Sequence, residues 1–258
     1  PIVNAIASIL KCGATFTIID PAYPADRIIE CLKVADPHAV ILIEQIAHLI
    51  PKSVEEYISN VDKSNRINFV ALIKKTKQMI EELKDVPSND LTSDEMSPEI
   101  GPDDVAVLTF TSGSTGIPKG VQGRHGPLTH YYPFMRDHFG YTSQEHFSMQ
   151  SGISHDPLQR DIFTPWFLGA RLYIPDPEDI VNPGRLAEWF AENEITISHL
   201  TPAMGQLLTS AAATNSSVSL PKLKYAYFVG DVLTKKFVER MCSIAPIVQV
   251  INLYGSTE

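Results

Sequence analysis

Residues 104–120 read DVAVLTFTSGSTGIPKG, and their order decides the class of the fold. Residues 104–110 form an apolar, β-branched run of strand length. Directly after it come Thr111, Ser112, Gly113, Ser114, Thr115 and Gly116, then Pro118, Lys119 and Gly120. A strand feeding straight into a Gly/Ser/Thr turn is the layout of an α/β protein, whose ligands collect at the loops that follow strands. The glycines of the turn permit positive φ and close backbone approach to a ligand. Hydroxyl side chains and N–H groups supply donors and Lys119 supplies a mobile positive charge, which together can form an anion-binding nest. By composition alone, a plain surface turn is the simpler account. The turn is not a Walker A loop, because the spacing GxxxxGK[ST] occurs nowhere in the chain.

Outward from this loop the chain alternates. On its N-terminal side, residues 2–11 read as a helix, TFTIID (15–20) as a strand, 25–35 as a helix and AVILI (39–43) as a strand. Residues 44–103 change character and read as an insertion or linker-like segment. Within it, Val70, Ile73, Ile80 and Leu83 stand amid lysines with the spacing of an amphipathic helix over 69–83. From Asp85 to Asp104 there are seven acidic residues, three prolines and no Lys or Arg, the composition of a solvated linker. On the C-terminal side a helix is expected from Pro127, a first-turn proline. Strands follow at RLYIP (171–175), TISHLTP (196–202), KYAYFVGD (224–231) and PIVQVINLY (246–254). Between them come a helix with Asn182 as N-cap, Pro183 in its first turn and Leu186, Trp189 and Phe190 on one face, and helices at 203–213 and 234–244. The pattern predicts an α/β fold with a sheet rich in parallel pairs.

The 258 residues are 44% hydrophobic and 20% charged, enough for a sizeable core. A net charge of -9 argues against non-specific binding to nucleic acid or to an anionic membrane surface, and no apolar stretch is long enough to span a bilayer. Cys12, Cys31 and Cys242 are odd in number, far apart and without a CxxC pair. They read as reduced apolar fillers in a cytoplasmic protein, with no disulfide framework and no zinc site. The chain starts at Pro1 without an initiator Met and stops at Glu258 just after an apolar run, so both ends read as cuts through a longer protein.

The string LTFTSGSTGIPKG (108–120) closely resembles the phosphate loop of the adenylate-forming superfamily, which includes amino-acid adenylation domains, acyl-CoA synthetases and luciferases. Three more motifs follow the superfamily's order. LKCGATFTIIDPAYPADRI (10–28) resembles amino-acid adenylation domains more than acyl-CoA ligases. HDPLQRD (155–161) stands where those domains have a Phe-Asp pair opening the substrate pocket, here with His155 in place of Phe. NLYGSTE (252–258) is similar to the superfamily's Asn-x-Tyr-Gly-x-Thr-Glu motif. Nearly the whole chain is covered, with 44–103 least alike. The resemblance implies the N-terminal core of an adenylate-forming enzyme, built of βα subdomains and incomplete at both ends.

It also implies roles. Thr111, Ser112, Gly113, Ser114, Thr115, Gly116 and Lys119 would hold the β- and γ-phosphates of ATP. Tyr254 would stack on adenine, although a tyrosine packed after a buried strand needs no such role. Gly230 and Asp231 match a turn that lies against adenine, where Gly-Glu is commoner. Thr257 would contact the α-phosphate, and Glu258 would bind Mg2+. Asp156 would pair with the ammonium group of an amino-acid substrate, unless it is a simple loop carboxylate beside Pro157. Arg160 falls where many members place an apolar pocket residue; it suits a second carboxylate, gripped by two parallel hydrogen bonds, or else is a surface arginine paired with Asp161. His199 and Tyr227 fall at pocket-lining positions.

Asp156 and Arg160 together point to a dicarboxylic amino acid. GVQGRHGPLTHYYPFM and SGISHDPLQRDIFTPWFLGA look like fungal reductases of this superfamily that act on 2-aminoadipate. These activate its side-chain carboxyl, load it on a phosphopantetheine carrier domain and reduce the thioester with NADPH. Carrier and reductase domains would lie in cis outside this chain, which has no GxGxxG. A peptide-synthetase adenylation domain, an acyl-CoA ligase and a non-catalytic nucleotide-binding module are the alternatives. The superfamily's ribose-binding aspartate, hinge and C-terminal catalytic lysine would fall beyond Glu258, so the 258 residues alone are expected not to turn over.

Overall fold

The computed structural model describes residues 2–60, 70–73, 99–112, 116–182, 184–210 and 218–257, which fall into two compact units, 1–128 and 129–258. In the first unit, helix α1 (Ile2–Lys11) precedes α2 (Ala25–Ala35), strand β1 (Val40–Ile43), a 3-10 turn at Glu44–Leu49 and α3 (Lys52–Asn60). Ile28 and Leu32 of α2 bury their side chains against Val54 of α3, with Ile19, Tyr23 and Val40 packed around them. Residues 44–60, grouped by sequence with the linker-like segment, thus supply part of this unit's core.

Two sequence expectations are corrected here. Residues 15–20 do not form a strand; only Phe16 bridges the neighbouring sheet, with its N–H donating to Ala106 O and its carbonyl accepting from Leu108 N–H. Val70–Ile73 is not helical but is strand β2, paired in parallel with β1. Four consecutive apolar residues satisfy a helical stripe and a buried strand equally, and pairing with β1 decides between them. The remainder of the expected helix over 69–83 lies outside the described residues.

Strand β3 (Val105–Thr111) forms as expected and pairs antiparallel with β4 (Lys119–Arg124), so the loop of interest is the turn of a hairpin. Strand β4 escaped the sequence reading because KGVQGR has two glycines and no apolar alternation. Gly123 is needed there: a Cβ at that position would come within 2.7 Å of Val107 Cγ1 on β3.

The second unit takes in residues 129–139 of helix α4 (His125–Phe139) and is built on a parallel sheet. Its strands are β5 (His146–Ser148), β6 (Arg171–Tyr173), β7 (Ile197–Leu200), β8 (Tyr225–Phe228) and β9 (Gln249–Asn252), in the order β6-β5-β7-β8-β9. The crossovers carry α5 (Pro157–Leu168), α6 (Pro177–Val181), α7 (Arg185–Glu192), α8 (Pro202–Ser210) and α9 (Lys235–Ile244). Alternation along the strands sends side chains to two faces. Leu200, Ala226 and Phe228 pack under α7, α8 and α9 through Leu186, Phe190, Leu208, Phe237 and Met241. Phe147, Ile197 and Tyr227 face the other way, against Met135 of α4 and Tyr141.

Asn182 is not the N-cap of α7. It closes α6 instead, donating its N–H to Glu178 O, and Gly184 at φ 86° opens α7. The cause is α6 itself, where the Asp176 N–H donates to Asp179 Oδ2 and starts a helix one element earlier than the apolar pattern suggested.

Gly205 of α8 lies against the rings of Phe228 and Phe237, and a Cβ there would meet the Phe228 Cε1 at 2.7 Å. Both rings are buried and packed edge to face with centroids 5.0 Å apart, so neither can retreat. Gly205→Val is expected to destabilise the protein by about 3 kcal/mol, the upper part of the range for overpacked cores. A denaturant midpoint equal to that of the parent protein would disprove this packing.

Candidate active site

The hairpin turn brings the two ends of the loop opposite each other, with Thr111 paired with Lys119 across β3 and β4. Ser112 and Lys119 are exposed, Pro118 is buried, and Gly116 takes φ 84°, a left-handed conformation natural to glycine. The Thr111 carbonyl accepts a long hydrogen bond from Arg27 Nη2 at 3.5 Å. Gly113, Ser114 and Thr115 lie outside the described residues. An exposed turn with a lysine at its far shoulder and a glycine at positive φ fits an anionic ligand.

In the second unit, α5 carries the residues assigned to the amino acid. Pro157 occupies its first position, where a missing N–H costs nothing, and Gly169 at φ 65° ends it. Asp156 stands at the N-cap, yet its carboxylate does not cap the helix; Oδ1 accepts a 3.0 Å hydrogen bond from the Thr257 hydroxyl. This contact joins two assigned residues 101 positions apart. Arg160, half-buried one turn along α5, lies close enough to the Tyr131 hydroxyl to act on it electrostatically. Burial raises the Tyr131 pKa above its ordinary value, and the Arg160 guanidinium opposes that rise. Burial likewise pushes up the neighbouring Tyr132.

Arg160 is not the partner of Asp161. The Asp161 side chain is 0% exposed and is held from inside the unit. Its Oδ1 lies 3.0 Å from His199 Nδ1, and its Oδ2 accepts from the backbone N–H groups of Gln150 at 3.2 Å and Ser151 at 3.0 Å. The sequence reading offered Asp161 only as a surface partner. A signal was available, since Leu158, Asp161, Ile162 and Pro165 follow the i, i+3, i+4, i+7 spacing of one helix face, and a carboxylate in that stripe must be buried.

His199 on β7 is buried, and its ring stacks on Tyr227 of β8 with centroids 4.9 Å apart. The Tyr227 hydroxyl is hydrogen-bonded to that of Tyr141, and burial raises both above the ordinary tyrosine range. Tyr227 is therefore a core residue beneath His199. His199 Nε2, both side-chain amide atoms of Gln150, the Ser154 hydroxyl and the Tyr132 hydroxyl are buried without a hydrogen-bond partner in the protein.

Gly230 (φ 97°) and Asp231 form the turn after β8, where Asp231 Oδ1 accepts from Val232 N–H. Tyr254 follows β9 and is fully exposed, so it is not packed in the core. Glu258 lies outside the described residues. Among the described residues no group of three His, Cys, Asp or Glu side chains could hold a metal ion, and no helix is long and apolar enough to cross a membrane.

The chain is similar to known proteins over nearly its whole length. L-2-aminoadipate reductase of Saccharomyces cerevisiae is 45% identical over 98% of this chain, which spans 18% of that protein. The L-2-aminoadipate reductase of Schizosaccharomyces pombe is 43% identical over 100% of the chain, again 18% of its own length. A crystal structure of a nonribosomal peptide synthetase, FmoA3, in its AMPPNP-bound form superposes with a TM-score of 0.77 at 24% identity, covering 99% of this chain and 25% of that one. At that identity the likeness is one of fold, and it matches the α/β core expected of an adenylate-forming enzyme. The sequence profile of the AMP-binding enzymes matches residues 2–258, and the chain belongs to that family.

Proposed function

We propose that the protein to which this chain belongs activates the side-chain carboxylate of 2-aminoadipate with ATP. A carboxylate resists nucleophiles because of its charge and its poor leaving group. Its oxygen attacks the α-phosphorus of ATP, the bond to the β-phosphate breaks, and an acyl-adenylate and pyrophosphate result. The acyl group then has AMP as a good leaving group, and it passes to a phosphopantetheine carrier for reduction by NADPH to the semialdehyde. These later steps rest on the resemblance to aminoadipate reductases and lie outside the 258 residues.

The observation that carries the substrate reading is the spacing of Asp156 and Arg160. Residues four apart share a helix face, with Cβ atoms about 6 Å from each other. An anion and a cation so placed match the head of an amino acid, whose ammonium and carboxylate sit on one carbon. Asp156 takes the ammonium in exchange for the Thr257 hydroxyl, and Arg160, beside Tyr131, takes the α-carboxylate. The side-chain carboxylate is then the end left free to react. At the phosphate end, Lys119 and the 111–116 turn bind the β- and γ-phosphates and offset the charge that develops as pyrophosphate departs. Glu258 would hold magnesium, which would supply Lewis-acid stabilisation of the phosphates.

ATP–pyrophosphate exchange on the full-length enzyme tests the reading. Exchange is expected with 2-aminoadipate; exchange with a hydrophobic amino acid and none with 2-aminoadipate would refute it. Arg160→Ala is expected to raise the KM for 2-aminoadipate by roughly 10- to 100-fold, the value of a charged hydrogen bond, with little change in KM for ATP. An unaltered KM for the acid would return Arg160 to a structural role. Lys119→Ala is expected to slow adenylation about 100-fold in single-turnover measurements, and a rate within about threefold of the parent would remove it from charge stabilisation.

A further inference from the structure

We propose that Asp161, which contacts neither ligand, is a positioning residue that sets the enzyme's preference for a substrate carrying an α-carboxylate, acting through His199. The inference rests on the functional reading above and adds to it a residue that the motif resemblance did not assign.

Asp161 is completely buried, and its contacts are one histidine ring and two backbone N–H groups. A carboxylate in such a place is dearer to bury than an apolar side chain of similar volume. Leu158 and Ile162 beside it on α5 show that the helix would pack with a hydrocarbon at this position.

The bonds of Asp161 lead to two segments at the ends of strands, the turn after β5 and the histidine of β7. Two of the three tethered residues have polar atoms left over: Nε2 of His199, and Nε2 and Oε1 of Gln150. A buried polar atom without a partner costs about 1–3 kcal/mol, and such groups in folded proteins call for an explanation. The same turn carries Ser154, whose hydroxyl is also partnerless, and α4 contributes the Tyr132 hydroxyl. These are buried hydrogen-bonding groups without a partner in the protein, in the same unit as Arg160, which directly precedes Asp161.

With Nδ1 committed to Asp161, and Tyr227 stacked on its face, His199 cannot turn, and Nε2 is the nitrogen that can meet a ligand. An anionic oxygen meets Nε2 only when that nitrogen carries a hydrogen. Arg160 and His199 then share the two oxygens of the α-carboxylate. Asp161 thereby fixes the buried ring with Nε2 as a second contact for that carboxylate.

The test uses the full-length enzyme in ATP–pyrophosphate exchange with two acids. 5-Aminopentanoate is 2-aminoadipate without its α-carboxylate and keeps the ammonium and the carboxyl that reacts. Asp161→Asn is expected to raise KM for 2-aminoadipate about tenfold more than KM for 5-aminopentanoate. His199→Phe, which keeps the ring and its stacking, is expected to reduce the preference by a similar factor. The double variant should lose no more than the larger single effect, because both act through one contact. A purely structural role for Asp161 would impair both acids equally, and an unchanged KM ratio in folded Asp161→Asn overturns the proposal. Should Asp161→Asn fail to fold, His199→Phe decides: a preserved ratio there leaves Asp161 nothing to act through and overturns it too. Absence of exchange with 2-aminoadipate in the parent enzyme would instead count against the functional reading.

Discussion

A parallel sheet places the carboxyl ends of all its strands along one edge, and the second unit's chemistry follows from that constraint. Ser151 follows β5, Thr201 follows β7, Gly230 and Asp231 follow β8, and Tyr254 and Thr257 follow β9. Residues more than 100 positions apart in sequence thus reach one rim without any dedicated bridging element. The opposite edge is closed in a different way. Backbone bonds run from Arg171 N–H to Glu145 O, from Thr196 N–H to His146 O and from Gln249 N–H to Lys224 O. The buried Glu145 carboxylate receives Lys224 Nζ at 3.0 Å on both oxygens. Breaking that pair would strand a buried charge, so this edge is the fixed one and the carboxyl edge is where groups remain available.

Asp161 extends the same logic one layer outward. Helix α5 leaves the rim at Asp156 and crosses beside the sheet, and consecutive residues on it point about 100° apart. Asp156 and Arg160 therefore share a side that includes the Thr257 and Tyr131 hydroxyls, whereas Asp161 turns inward onto β7. One helix presents charges to the rim and, from the adjacent position, braces the histidine beneath it. Tyr227 and Tyr141 complete that support from below, their hydroxyls satisfied by each other.

Much of this was legible in the sequence because apolar strands announce themselves. Residues 104–110, 196–202 and 224–231 are dense in β-branched and aromatic residues, and each forms a strand that stays within one residue of the expected bounds. Three kinds of element were not legible. β4 is a strand by virtue of its partner: glycine lets it lie on Val107, and no pattern within KGVQGR indicates this. Val70–Ile73 obeys two periodicities at once, and only the neighbour β1 selects one. Depth is the third. Asp156, Arg160 and Asp161 are all charged residues within six positions, and a motif weighs them by resemblance, which singled out the first two. Only the packed helix shows that Asp161 is the buried one and that Arg160 lies beside Tyr131. The resemblance assigned ligand roles to two of these charges, and the structure adds the packing that fixes the third.

The Thr257–Asp156 hydrogen bond shows why the two halves of the site should be thought of together. Under the proposed function each partner serves a different ligand, Thr257 the α-phosphate and Asp156 the ammonium. A hydroxyl donating to a carboxylate contributes about 1.5–3 kcal/mol, and on that reading a ligand that takes either partner gives this bond up. The ligand that binds first would meet that cost, and the second would find its residue already released. The coupling would be reciprocal, since the same bond is broken whether the nucleotide or the amino acid enters first. On that reading a single hydrogen bond between two loops that follow different strands suffices to couple the two substrates, with no domain motion required.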